Sequence, residues 1–347
     1  MITKPIDPLL RLREALPAEL TKHLDRIEEI KSKFIPTPWQ PELVLAINEV
    51  VANAVERKNR NLPLTHDNRI DVKGLAVIGP SRSGKSRALR QYFDHHPVFA
   101  GYGDPSSDSP LLWVSVPSPC GLVQLGRSIV NASGYAVERD YPAHRLFEMA
   151  RTRLREMPKP FLAIEELQHS THEVSLKEQV NVCDALKNLM ESERITLFLS
   201  GVETLIPFIG LDSQLDERLT KFYFRRLVPQ QQDLLADMVH VYADAVCLDV
   251  AYSNTDALFA RLSHASLHAF GRTVEITIDA IADCLRKEEK TLTREHFACA
   301  YAAKSGQPAS ENPFLADRWH DIVCKTHVEK ANELGPLPAA ARGKHRK

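Results

Sequence analysis

The sequence Gly79-Pro80-Ser81-Arg82-Ser83-Gly84-Lys85-Ser86 is the strongest indication of the fold class of this 347-residue chain. It matches the pattern G-x-x-x-x-G-K-[ST], in which glycines let the backbone wrap tightly around phosphate groups. The apolar run Val72–Ile78 before it predicts a buried strand, and residues 85–94 after it predict a helix. A strand, this loop and a helix in that order indicate a site for nucleotide phosphates.

Roles for the residues of this loop follow from the chemistry of a nucleoside triphosphate. Lys85 is expected to reach the β- and γ-phosphates of ATP, and the hydroxyl of Ser86 is expected to ligate Mg²⁺. Backbone N–H groups of the loop and of the first helical turn point at phosphate oxygens. The residues predicted to bind the nucleotide here are Gly79, Pro80, Ser81, Arg82, Ser83, Gly84, Lys85, Ser86 and Arg87.

Two adjacent acidic residues follow a second apolar run, Phe161–Ile164. In ATPases with such a loop, the first acid after this strand holds Mg²⁺ through water and the second polarises the attacking water. Glu165 is therefore predicted to serve the metal and Glu166 to act as the catalytic base, although Asp is usual at the first position. The alternative is a solvated helix start, because Glu is favoured in a first helical turn.

A further polar residue, Ser200, directly follows the apolar run Ile195–Leu199. At the carboxyl edge of a parallel sheet, its side chain would face the γ-phosphate and help to hold the attacking water. A turn serine before Gly201 is an equally good interpretation of this pattern.

Short apolar runs alternate with helical patterns in the first two thirds of the chain, which indicates a parallel sheet with helices on both faces. The predicted strands are Val72–Ile78, Leu111–Val116, Phe161–Ile164, Ile195–Leu199 and Phe222–Leu227. From about residue 230 the strands stop, and helical patterns near 230–246, 254–268, 272–287 and 293–303 predict a small all-helical lid. The predicted fold class is therefore α/β, with a five-stranded parallel sheet followed by a helical lid domain.

Changes in composition suggest the domain boundaries. Residues 1–34 are charged and helical in pattern, and the Pro-rich segment after Ile35 separates this extension from the nucleotide-binding domain, 35–228. The helical lid covers 229–304, and a polar tail that contains several prolines covers 305–347.

Composition excludes several classes of protein. The net charge is −1, which excludes a protein that is basic over its whole surface but not one with a local basic face. The six cysteines form no C-x-x-C pair, which argues against a zinc ribbon or a disulfide scaffold and for a reducing cytoplasm. No apolar run approaches the roughly 20 residues of a membrane-spanning helix, and Met1–Leu12 does not resemble a signal peptide, so we expect a cytoplasmic protein without membrane contact.

With these elements in order, the chain resembles the AAA+ ATPases and, within them, the TniB/TnsC family of transposition regulators. The resemblance covers about residues 35–303. The segments that carry it besides the phosphate loop are Ile35-Pro36-Thr37-Pro38, His95-His96-Pro97, Val114-Ser115-Val116-Pro117, and Asp212-Ser213-Gln214-Leu215 followed by Arg218.

The resemblance implies roles for further residues. Arg218 corresponds to an arginine finger that neutralises charge on the γ-phosphate of a neighbouring protomer, with Arg225 or Arg226 as alternatives. Arg272, after Gly271, resembles a second sensor that couples the lid to the nucleotide state. Pro36 and Thr37 are expected near the adenine.

The resemblance also implies DNA as a partner. The family's members track the backbone of duplex DNA without reading its sequence, as a ring or helical filament of identical subunits. Between Arg139 and Lys159 there are six Lys/Arg and three acidic residues, a net charge of +3. Arg127 and Arg145 are the predicted DNA contacts, and the cluster Arg342–Lys347 is the next candidate.

The implied function is an ATP-dependent, DNA-binding regulator of transposition that links a TniQ-type target-selection protein to the transposase. One alternative is another AAA+ ATPase, such as a replication initiator or loader. A third interpretation is a nucleotide-gated scaffold with little hydrolysis, which Glu165 in place of Asp leaves open. A small-molecule kinase with the same loop is disfavoured, because the pair Glu165-Glu166 suits an ATPase that activates water.

Overall fold

The computed structural model describes residues 7–157, 159–171, 173–253 and 256–324. They form two compact units, one spanning Pro36–Arg225 and the other made of the described residues of 1–35 and 226–347. The second unit begins with helices α1 (Pro8–Glu14) and α2 (Ala18–Ser32). Ile30 of α2 is fully buried, and Arg26 donates to the carbonyl of Val246. The helices of the N-terminal extension therefore group with the C-terminal helices.

The first unit, Pro36–Arg225, carries the five-stranded sheet. Its strands are β1 (Gly74–Ile78), β2 (Leu111–Ser115), β3 (Phe161–Glu165), β4 (Thr196–Gly201) and β5 (Leu219–Tyr223). Their spatial order is β2-β3-β4-β1-β5, and every neighbouring pair is parallel. The predicted parallel sheet is confirmed. The chain leaves β1 for the far edge and returns beside it, and this reversal of strand order is where such sheets bind ligands.

The helices of this unit connect and cover the strands. They are α3 (Gln40–Ala54), α4 (Lys85–His95), α5 (Leu122–Ala132), α6 (Ala143–Glu156), α7 (Leu176–Glu191), α8 (Leu205–Ile209) and α9 (Ser213–Arg218). All residues of β1, β3 and β4 are buried, as expected for central strands covered on both faces.

The fifth strand lies three residues earlier than the predicted run Phe222–Leu227. Leu219 pairs with Gly74 and Tyr223 with Ile78, so β5 ends where β1 ends. Phe224 is buried just beyond the strand, and its N–H donates to the carbonyl of Ile78 at 2.7 Å. The prediction followed this later apolar run, whereas β5 itself is an edge strand with partly exposed side chains.

Four helices dominate the C-terminal part of the second unit. They are α10 (Gln232–Ala245), α11 (Leu258–Ala265), α12 (Phe270–Arg286) and α13 (Arg294–Ser305). The expectation that strands stop near residue 230 is wrong in one respect. Strands β6 (Asp249–Val250) and β7 (Thr291–Leu292) pair in parallel, and two residues each are too few to show periodicity.

Part of the predicted tail also belongs to the second unit. Phe314 is fully buried, and the side-chain amide of Asn312 donates to the carbonyl of Ala298 at 2.8 Å. Arg261 donates to the carbonyls of Pro313 and Ala316. The candidate DNA-binding cluster at 342–347 lies outside the described residues.

Candidate nucleotide-binding site

The phosphate loop connects β1 to α4, and two glycines fix its shape. Gly84 has φ +98°, a left-handed conformation that side chains disfavour. A Cβ at Gly79 would lie 2.6 Å from Cβ of Phe224 and 2.7 Å from its carbonyl oxygen. The start of the loop therefore passes too close to the end of β5 for any side chain. The loop then leads into the first turn of α4 at Lys85, where helical N–H groups are available to an anion.

Lys85 is buried inside the loop. Its ammonium group donates to the carbonyls of Gly79 at 2.9 Å and Pro80 at 2.8 Å. Burial lowers the pKa of Lys85 to about 8, and the nearby charges of Glu166 and Glu203 oppose this shift. The amine is therefore mostly protonated at neutral pH, and phosphate oxygens can take over the bonds now made to carbonyls.

Glu165 ends β3 as a buried carboxylate. Its Oε2 accepts from Arg90 at 2.7 Å, from Nε1 of Trp113 at 2.9 Å and from Ser115 at 3.4 Å. Burial alone would raise the pKa of Glu165, but hydrogen bonds from Ser86, Arg90 and Trp113 hold the pKa below its usual value. An ionised carboxylate next to the Ser86 hydroxyl is the oxygen pair that Mg²⁺ prefers.

Arg90 and Trp113 were not predicted from the sequence. Arg90 lies four residues after Ser86 on α4, so helical spacing places the two on one face and was a usable signal. Its guanidinium also lies over the Trp113 ring, 5.0 Å from the ring centre. Trp113 comes from β2, and only the strand order shows that β2 neighbours β3.

Glu166 lies just after the end of β3, where the backbone turns out of the sheet. It has φ +59°, and such a conformation costs a residue with a side chain about 1–2 kcal/mol. The kink ends β3, keeps Glu165 buried and leaves the Glu166 side chain 49% exposed. Oε2 of Glu166 accepts from Nε2 of Gln168 at 2.6 Å, and Nε2 of His169 lies 4.0 Å away. The residue precedes a short 3₁₀ turn, Leu167–Ser170, rather than the solvated α-helix of the alternative interpretation.

Several buried polar atoms of this unit fit a polar ligand. Within the described part of the chain, no hydrogen-bond partner reaches Oγ1 of Thr37, Oγ of Ser83, Oγ of Ser200 or Oε1 of Glu165. Ser83 belongs to the loop, and Ser200 pairs in register with Val77 near the end of β1. Leaving buried polar groups without a partner costs about 1–3 kcal/mol each, so their concentration here favours a bound polar group.

Pro36 and Thr37, which are predicted to lie near the adenine, precede helix α3. Thr37 is buried, and its Cγ2 lies 3.9 Å from where a Cβ of Gly84 would stand. Trp39 is buried beside it in sequence, with its ring 6.0 Å from that of Phe224. The segment from Pro36 thus lies against the phosphate loop. Together these residues fit a nucleoside triphosphate with Mg²⁺, whose charge would neutralise the phosphates and favour attack on them.

Arg218 lies far from this site in its own chain. It is the last residue of α9, and the next residue, Leu219, pairs with Gly74 at the amino end of β1. The phosphate loop begins at the other end of β1, about 16 Å away for five residues at 3.3 Å each. Arg218 donates to Glu191 at 3.0 Å. It cannot touch the nucleotide held by its own loop.

The other implied arginines fall in different places. Arg225 follows β5 and lies 3.8 Å from Glu42. Arg226 donates to the carbonyl of Leu267 at 2.7 Å within the second unit. Arg272 is in the first turn of α12, also in the second unit, and its contact with nucleotide remains a prediction.

The basic stretch 139–159 is not one continuous cationic surface. Arg151 and Arg155 both bind Glu193, which is 1% exposed. The ammonium group of Lys159 is buried and donates to the carbonyls of Ser107 and Ser109. Counting charges along the sequence missed this, because Glu193 comes from the segment after α7. The positive charge available to DNA from residues 139–159 is therefore smaller than the net charge of this stretch suggests.

The two predicted DNA contacts are both ion-paired at the surface. Arg127 donates to Asp140 at 2.8 Å, and Arg145 donates to Glu148 at 2.6 Å. Exposed pairs of this kind contribute little stability, so phosphate can compete for either arginine. Their role in DNA binding remains a prediction.

Solved structures of other proteins resemble this fold. The structure resembles that of the Aeropyrum pernix Orc1 protein in complex with DNA, with a TM-score of 0.55 and 15% identity over 83% of this chain and 74% of that one. It also resembles Cdc6p from Pyrobaculum aerophilum, with a TM-score of 0.53 and 11% identity over 83% and 76% of the two chains. At such identities the likeness shows the fold, which is that of the AAA+ ATPases.

No curated protein sequence matches this chain. Among the described residues, none of the helices combines the length and the apolar character needed to cross a bilayer. The family described as bacterial TniB protein matches residues 51–228, about half of the chain, a segment that includes the phosphate loop, Glu165 at the end of β3 and Glu166 after it. The chain belongs to the TniB family of AAA+ ATPases.

Proposed function

We propose that this protein is an ATP-dependent, DNA-binding regulator of DNA transposition. The observation that carries the proposal is the convergence of Lys85, Ser86, Glu165 and Glu166 at the carboxyl edge of the sheet, within the segment that matches the TniB family. Lys85 would bind the phosphates, Ser86 and Glu165 would hold Mg²⁺, and Glu166 would act as the base. Ser200 would help to position the attacking water.

The position of Arg218 supports an assembly of identical subunits. Because the strand β1 separates it from its own loop, a finger role requires the nucleotide of a neighbouring copy. ATP would thus stabilise a ring or helical filament on DNA in the cytoplasm. The assembled form would bridge a TniQ-type target-selection protein to the transposase, and hydrolysis would dismantle it.

Arg218→Ala is expected to leave ATP binding unchanged and to lower hydrolysis by about a thousandfold, the lower range for loss of an arginine finger. Nucleotide affinity and turnover are measured on the same preparation. Arg286→Ala, which removes an exposed arginine paired with Asp283 in α12, is the matched control and should keep full activity. Equal turnover of the two variants would remove Arg218 from the active site.

DNA binding is expected to require ATP because each subunit offers few phosphate contacts. A chain with net charge −1 and one or two available arginines binds duplex DNA weakly at physiological salt. An ATP-bridged assembly adds the contacts of its subunits along the duplex and becomes avid. Since the contacts are to phosphates, the affinity should not depend on base sequence.

The test is fluorescence anisotropy with a non-hydrolysable ATP analogue, over a salt series, on two unrelated duplexes. Arg127→Ala or Arg145→Ala should weaken both duplexes equally and reduce the slope of log K against log salt by about 0.9 for each phosphate that the arginine no longer neutralises. Arg318→Ala is the control, because Arg318 pairs with Asp321 three residues on, as Arg145 does with Glu148. Equal binding of the parent protein without nucleotide would contradict the requirement for ATP, and an unchanged slope would remove these residues from the DNA interface.

A nucleotide-gated scaffold with little hydrolysis is the second candidate. The ion pair of Arg90 with Glu165 favours it, because Mg²⁺ must compete with a guanidinium for this carboxylate. A turnover measurement at saturating ATP, Mg²⁺ and duplex DNA separates the two functions.

A further inference from the structure

Gln168 has a side chain whose two ends have different surroundings. It lies in the 3₁₀ turn after β3 and is 6% exposed. The amide nitrogen donates to Oε2 of Glu166 at 2.6 Å. The amide oxygen is buried, and in the described part of the chain no donor reaches it.

The unpartnered amide oxygen lies beside the end of β4. A Cβ at Gly201 would stand 2.9 Å from it. The carbonyl of Gly201 in turn accepts from the N–H of Gly79, the first residue of the phosphate loop, at 3.3 Å. The hydroxyl of Ser200, next to Gly201, is also buried without a partner among the described residues. The amide oxygen of Gln168 is thus a hydrogen-bond acceptor without a donor among the described residues, at the edge of the sheet where the phosphate loop begins.

ATP hydrolysis requires a hydrogen-bond acceptor beside the attacking water. When water attacks the γ-phosphorus, its oxygen forms the new bond as the bond to the bridging oxygen of ADP breaks and leaves its electron pair on ADP. One proton of the water goes to the base. The second hydrogen stays on the new phosphate oxygen and needs an acceptor that orients it before attack. A glutamine amide supplies an acceptor and a donor on one rigid plane.

We propose that Gln168 is a positioning residue for ATP hydrolysis. Its amide nitrogen holds the carboxylate of Glu166 in one orientation, and its amide oxygen accepts the second hydrogen of the attacking water. The inference rests on the proposed role of Glu166 as the base. A purely structural role, in which the amide only closes the turn after β3, would account for the donor bond but not for the buried oxygen.

The test compares two ligands that differ at the γ-phosphate position. Binding of a non-hydrolysable ATP analogue reports on the ground state, and binding of ADP with aluminium fluoride reports on the transition state. In full-length Gln168→Met, which keeps the length of the side chain and removes both polar atoms, we expect analogue affinity within about twofold of the parent. ADP with aluminium fluoride should bind about tenfold more weakly, and kcat should fall by at least as much with little change in KM.

A second variant and a control variant keep the inference testable if Gln168→Met folds poorly. Gly201→Ala leaves Gln168 in place but adds a methyl group 2.9 Å from its amide oxygen, so it should shift the amide and reproduce the selective loss. Gln179→Met removes a partly buried amide that binds the carbonyl of Val174 and should leave both affinities unchanged.

The outcomes separate this inference from the function on which it rests. An equal loss of both ligands in Gln168→Met and Gly201→Ala would show a structural role and overturn the inference, as would no loss of either ligand. A parent protein that binds neither ligand would overturn the proposed function and the inference together. A selective loss of the transition-state ligand supports both.

Discussion

Lys85→Ala is expected to abolish ATP binding at micromolar nucleotide. The ammonium group is the cation buried within the loop itself, and hydrogen bonds between charged groups contribute about 1.5–3 kcal/mol each. Loss of two such bonds to phosphate corresponds to a reduction in affinity of at least about a hundredfold. Fluorescent-nucleotide titration measures the change directly.

The same substitution should not destabilise the fold. Burial holds the pKa of Lys85 near 8, below its value in the unfolded chain, so protonation of this lysine favours the unfolded state at neutral pH. Removing the amine removes that cost, and the melting temperature should not fall. Lys73→Ala, an exposed lysine just before β1, is the matched control for nucleotide binding. Parental affinity in Lys85→Ala would show that the loop does not bind phosphate.

Glu166→Gln is expected to keep ATP binding and to slow hydrolysis by about 10²- to 10⁴-fold, the usual contribution of a general base. The amide preserves the size of the side chain and accepts the left-handed backbone as well as Glu does, so the loop should be undisturbed. Because ATP then persists, DNA-bound assemblies should accumulate. Single-turnover hydrolysis and sedimentation with DNA measure the two effects.

A second carboxylate provides the control for Glu166. Glu203 is exposed and also raises the pKa of Lys85, so Glu203→Gln alters the charge near the loop without removing the proposed base. It should hydrolyse ATP at close to the parental rate. Hydrolysis by Glu166→Gln at the parental rate would mean that another group activates the water.

The parts of the site predicted from the sequence are those that a local pattern determines. Glycines determine the shape of the loop 79–86. Its position between β1 and α4 was predicted from the apolar and helical patterns of the adjacent residues. Glu165 and Glu166 were located because they directly follow a buried strand. The opposite surroundings of the two carboxylates were not predictable, because they depend on the left-handed backbone of Glu166.

The parts that sequence reasoning missed depend on contacts between distant segments. Trp113 reaches Glu165 only because β2 lies beside β3, and the amide of Gln168 lies beside Gly201 only because β4 follows next in the sheet. Glu193 likewise neutralises Arg151 and Arg155 from 38 or more residues away, which the charge count along the chain could not show. All three required knowledge of which distant segments of the chain lie side by side in the fold.

A mixture of two inactive variants tests whether each ATP site is completed by a neighbouring copy. In a mixture of Arg218→Ala and Glu166→Gln, some interfaces join an intact Glu166 from one variant to an intact Arg218 from the other. With random assembly of equal amounts, about one quarter of the interfaces are of this kind. The mixture should recover up to about that fraction of parental ATP hydrolysis, while each variant alone stays inactive. No recovery at any mixing ratio would mean that Arg218 does not act on the nucleotide of a neighbouring copy.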